Sequence, residues 1–93
     1  MRNAQEVKAA IDRYSLYSAL YVTWIDSHGF THGWHNPEDD SHELGITESV
    51  GMLICVTDDA LSLCLSRDEM SGTIDGTISI PLCAVKTVHT LGV

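Results

Sequence analysis

Apolar and polar positions alternate twice in quick succession between Val50 and Ser66, VGMLICVTDDALSLCLS. Met52, Ile54 and Val56 alternate with Gly51, Leu53 and Cys55. After Asp58-Asp59, Leu61, Leu63 and Leu65 alternate with Ser62 and Cys64. A period of two is that of strands, and the paired aspartates between them suit a two-residue hairpin loop. That loop sets Val56 opposite Leu61, Ile54 opposite Leu63 and Met52 opposite Leu65. The pattern therefore predicts a core face of these six large residues. The other face, with Gly51, Leu53, Cys55, Ser62 and Cys64, is small enough to be covered by another layer or another subunit.

The remaining pattern frames this hairpin. Asn3 and Glu6 occupy the N-cap and N3 places of a capping-box-like start. Val7, Ala10, Ile11 and Tyr14 then recur at helical spacing, which Tyr17 extends, and Lys8 and Asp12 stand one turn apart. A helix is predicted over about 4–14. YVTWIDS (21–27) has strand composition, with Val22 and Trp24 on one face and Tyr21, Thr23 and Ile25 on the other. Gly29 turns the chain and 30–34 forms a short return arm, followed by a wet loop over 35–43 with four acids. RDEMSG (67–72) is another loop. In the strand predicted over 73–80, Ile74, Ile78 and Ile80 share a side on which Gly76 implies a bulge, a bend or a close approach. Pro81 stops the pairing, Leu82-Cys83 makes a tight turn, and 85–91 is the last strand. The chain reads as a single domain over 1–93, mainly β with one N-terminal helix and a strand-rich part over about 19–91. The first expectation is a small five-stranded SH3-like or Sm-like barrel; the alternative is an α+β open antiparallel sheet with one helix.

Ninety-three residues hold one modest core, so self-association is an expected further source of stability. No apolar run approaches bilayer length and the start lacks a signal-peptide apolar region, which predicts a soluble, intracellular protein. The three cysteines, Cys55, Cys64 and Cys83, form no CxxC pair and sit among strand-forming apolar residues. They are read as buried free thiols in a reducing compartment. The formal net charge is −8, and no lysine or arginine occurs between Tyr14 and Ser66. Direct nucleic-acid binding is disfavoured by that surface.

The segments WIDSHGFTHGW (24–34), SVGMLICVTDDALSLCLS (49–66) and GTISIPLCAV (76–85) resemble a group of short proteins encoded by tailed bacteriophages and prophages. The shared pattern is Trp-x-Asp-Ser, a Gly-Trp a few residues on, a Ser-Val-Gly strand and an Ile-Pro near the end. It covers residues 20–91 and leaves the helix outside; Met52 stands where the pattern has Trp. The resemblance implies phage origin and a place in the host cytoplasm, and it supplies no activity.

Candidate chemistry is sparse. His28, His32 and His35 lie close together, but a strand divides them between faces and no cysteine shares their segment, so no metal site is assigned. The acids at 38–40 lack calcium-loop spacing, and there is no GxSxG elbow or phosphate-binding glycine loop. No catalytic residue or cofactor is assigned, and the chain is read as non-enzymatic. For ligand binding, Tyr21 and Trp34 are the candidates for stacking, and Arg67 and Lys86, the only cations after the helix, those for meeting an anion, between subunits. Glu38, Asp39, Asp40 and Glu43 are the candidate partner surface. Three functions compete. The first is a phage-type accessory protein, an oligomer that counters a host defence by sequestering a small nucleotide-like signal. The second is an acidic protein masking a basic site on a host nuclease or DNA-binding protein. The third is a virion structural or assembly component.

Overall fold

The computed structural model describes residues 3–26, 34, 36–39 and 44–92. The helix, α1 (Ala4–Asp12), starts where the sequence places it. Asn3 Oδ1 accepts from the Glu6 backbone N–H at 2.9 Å, and Asn3 Nδ2 donates to Glu6 Oε1 at 3.1 Å. The first of these satisfies one orphaned backbone N–H of the first turn, and the second braces the two side chains against each other. The helix ends earlier than expected, so Tyr14 and Tyr17 lie beyond it. Its Val7 and Ile11 are buried. Lys8 Nζ lies 4.0 Å from Asp12 Oδ2 and 3.4 Å from Asp58 Oδ1, tying the polar side of α1 to the hairpin loop. Exposed pairs of this kind contribute little, about 0–1 kcal/mol.

Five strands follow: β1 (Ala19–Asp26), β2 (Gly45–Val56), β3 (Ala60–Arg67), β4 (Ile74–Pro81) and β5 (Val85–Thr90). A 3₁₀ turn over Leu82–Ala84 joins the last two, at the predicted tight turn. The strands form one antiparallel sheet in the order β4-β3-β2-β1-β5. The sheet is open: β4 and β5 are its two edges and do not pair with each other. The closed SH3-like or Sm-like barrel is therefore not formed, and the open antiparallel sheet with one helix is. The 3₁₀ turn carries the chain from one edge to the other, while α1 packs against that turn, β2 and β5. Part of one face of the sheet is covered in this way.

The core contains Val7, Ile11, Leu20, Val22, Leu53, Leu61, Leu63, Ile80, Leu82 and Val85. Each such side chain contributes about 1.5–3 kcal/mol by leaving water. The hairpin is right at its loop: Thr57 N–H donates to Ala60 O at 2.8 Å, and Val56 pairs with Leu61. Two pairs further on the register shifts, so that Leu53 faces Leu63 and Met52 faces Cys64. One extra residue on β2 has this effect because side chains alternate strictly along a strand. Leu53, not Met52 or Ile54, consequently enters the core, and Leu65 is 72% exposed. The cysteine expectation also needs correction. All three are free, but Cys55 and Cys83 are exposed, and Cys64 is buried outside the core cluster.

Beyond Met52 and Cys64 the β2–β3 ladder ends, while β2 continues against β1 and β3 against β4. Gly51 sits at this divergence. A Cβ there would lie 2.9 Å from both Cys64 O and Leu63 Cβ, so only glycine allows the two backbones to approach. The expectation for Gly76 holds: its φ is +70° and a Cβ would meet the Leu65 side chain at 2.8 Å. The return arm over 30–34 lies outside the described residues apart from Trp34. Of the acidic loop, Pro37–Asp39 forms a 3₁₀ turn. No helix among the described residues is long and apolar enough to cross a membrane.

Candidate functional site

Arg67, the last residue of β3, is half-buried on the core side of the sheet, following Leu61, Leu63 and Leu65 in alternation. Its Cζ lies 4.1 Å from the centroid of the Tyr17 ring. Within that distance a guanidinium is attracted by the ring's quadrupole, by about 0.5–2 kcal/mol depending on desolvation. Tyr17 is held for this contact by an unusual backbone: its φ is +66°, in the left-handed region that a bulky residue enters at a cost. Tyr17 N–H donates to Leu53 O at 2.7 Å, and Leu53 N–H donates to Ser18 O at 2.9 Å, which fixes the bend.

The polar side of Arg67 is not satisfied to match. Its Nε is buried without a hydrogen-bond partner, and among the described residues no carboxylate forms an ion pair with it. In a chain with thirteen acids, that is an uncommon state for a partly desolvated cation. An unpaired buried donor costs about 1–3 kcal/mol, more when charged. Such a group holds an uncompensated preference for an anion, carboxylate or phosphate, which a guanidinium can grip with two parallel N–H donors.

The other candidates are distributed differently. Tyr21 is on β1, on the face away from Arg67, where its hydroxyl donates to Glu48 Oε1. It belongs to a row of polar contacts on that face, with Thr23 Oγ1 2.5 Å from Thr87 Oγ1 and Ser62 Oγ 2.7 Å from Ser79 Oγ. The aromatic that meets Arg67 is thus Tyr17 rather than Tyr21. Helical periodicity obscured this, because Tyr17 continues the spacing of α1, and nothing local links it to a residue fifty positions on. Lys86 is exposed on β5, at the extra residue where the β1–β5 register shifts. Trp34 is exposed, whereas Trp24 packs against the core and donates from Nε1 to Ser49 Oγ at 3.0 Å. Within one chain, Arg67 and Lys86 stand on strands separated by β2 and β1.

Glu38 is exposed in the 3₁₀ turn that includes Asp39, while Asp40 and Glu43 lie outside the described residues, as do His28, His32 and His35. Among the described residues no three His, Cys, Asp or Glu side chains converge as a metal site. Comparison of the chain with protein-family models, with curated proteins and with solved structures found no match.

Proposed function

We propose that this chain is a non-enzymatic, phage-type accessory binding protein that acts in the host cytoplasm. It counters a host defence by sequestering a small nucleotide-like signal. The observation that carries this reading is Arg67, half-buried over Tyr17, with an unpartnered Nε and no carboxylate pair among the described residues. The guanidinium meets a phosphate, and the Tyr17 ring limits the approach to one side. Trp34 and Lys86 contribute from outside this cradle.

Isothermal titration calorimetry with AMP, ADP and ADP-ribose tests it. The wild-type chain is expected to bind at least one probe, and Arg67→Ala to weaken that binding tenfold or more, since hydrogen bonds to charged groups contribute about 1.5–3 kcal/mol. Absence of binding by all three probes, with no small adduct on the purified protein in native mass spectrometry, would overturn the reading. A second reading, masking of a basic site on a host protein, is favoured by the net charge of −8 and by the exposed Glu38, Glu48 and Asp59. It predicts a salt-sensitive complex that Arg67→Ala leaves intact.

A further inference from the structure

The two edges of the open sheet differ in a way that specifies a partner. β4 is exposed along its whole length except at Ile80. It carries no lysine, the charge most used to guard an edge strand against pairing, and its guards, Asp75 and Pro81, stand near its two ends and leave 76–80 open between them. Beside it, on the core side of the sheet, Leu65, Ile74 and Ile78 are 72%, 41% and 39% exposed. They continue the buried row of Leu61, Leu63 and Ile80 with nothing among the described residues to cover them. The covered part of the face thus runs into an uncovered part that ends at an open ladder.

Charge selects the occupant. β4 and the turn before it carry Asp68, Glu69 and Asp75 and no base, while β5 carries Lys86 and His89 and no acid. Pairing β4 with a second β4 sets acid against acid. Pairing β4 with β5 of another copy sets opposite signs together and also occupies the other open edge.

We propose that copies of this chain assemble head to tail, the β4 edge of one pairing with the β5 edge of the next, so that one sheet continues across the interface. Such a heterologous contact closes into a ring when its rotation permits. It also completes the ligand site, and this part alone rests on the function proposed above. Arg67 pairs with Ile74, one strand in from the edge. An added strand places Lys86 of the partner subunit two strand spacings away, about 10 Å across the sheet. Two cations that stand three strand spacings apart in one chain, about 14 Å across the sheet, then also stand two spacings apart across the interface, which suits a ligand with two anionic groups.

Three proteins test this by sedimentation velocity and native mass spectrometry without added ligand: the wild type, a β4 variant (Ile74→Glu with Ile78→Glu) and a β5 variant (Lys86→Glu with His89→Glu). All four positions are exposed, and far-UV circular dichroism checks the fold; Thr77→Lys is a second β4 variant that spares the apolar row. The wild type is expected to form a discrete oligomer. Each variant alone is expected to be monomeric, and their equimolar mixture to form a dimer that grows no further, using the one intact edge of each. A monomeric wild type at about 100 μM overturns the proposal, as does a β5 variant that assembles like the wild type. Arg67→Ala separates the two readings, because it is expected to keep the oligomer mass while losing AMP, ADP or ADP-ribose. A wild type that assembles yet takes none of these probes refutes only the ligand.

Discussion

The Tyr21 hydroxyl donates to the Glu48 carboxylate, and that hydrogen bond raises the Tyr21 pKa above its usual value near 10, with slight desolvation and the Glu48 charge adding to it. The folded state therefore holds this proton more firmly than the unfolded chain does. The contribution to stability is complete below about pH 10 and is lost as pH rises through the folded pKa. Thermal melts at stepped alkaline pH should show a steeper decline for the wild type than for Tyr21→Phe; parallel curves would remove the linkage. Glycine gives a second test at single-residue scale. Gly51→Ala forces a Cβ to 2.9 Å from the Cys64 carbonyl oxygen, which is backbone and has no room to yield, whereas Gly45 has nothing within 4 Å. Gly51→Ala should cost about 1–3 kcal/mol by overpacking, and Gly45→Ala less than about 0.5 kcal/mol. Denaturant midpoints measure both. Of these residue-scale features, the demand at Gly76 was legible because a glycine interrupts a row of isoleucines. The Arg67–Tyr17 contact was not, because it joins a strand end to a loop that the helical spacing disguised.

At the scale of elements, the hairpin loop was legible and the register behind it was not. Asp58-Asp59 fix the Val56–Leu61 pair, since a two-residue loop leaves no other choice. Met52 to Cys55 are apolar in sequence on both faces, so no polar residue marks which side is out. The bulge then decides, and it turns Leu53 inward. Leu53→Ala should cost about 2–5 kcal/mol, as expected for a buried leucine. Ile54→Ala should cost clearly less, because Ile54 is only partly buried and lies outside the core cluster. Equal losses in chemical denaturation would contradict the bulged register. The helix was legible to within a turn because Asn3 and Glu6 carry its start in their own side chains.

For the whole molecule, strand number, strand order along the chain and the turn after Pro81 could all be read from the sequence, because each rests on local pattern and punctuation. Closure could not. It depends on whether β4 meets β5, and those strands are joined by a turn that packs against α1, a long-range contact that local pattern does not announce. The same arrangement has a consequence for the order in which the protein becomes itself. Leu20 pairs with Thr90, seventy positions later in the chain. A ribosome adding 5–20 residues per second takes roughly 4 to 14 seconds to cover that distance. Once β2 has been made, and until β5 follows, β1 has β2 on one side and no strand on the other. The nascent chain thus presents β1, later an interior strand, as a provisional edge, and only the arrival of β5 moves that edge outward.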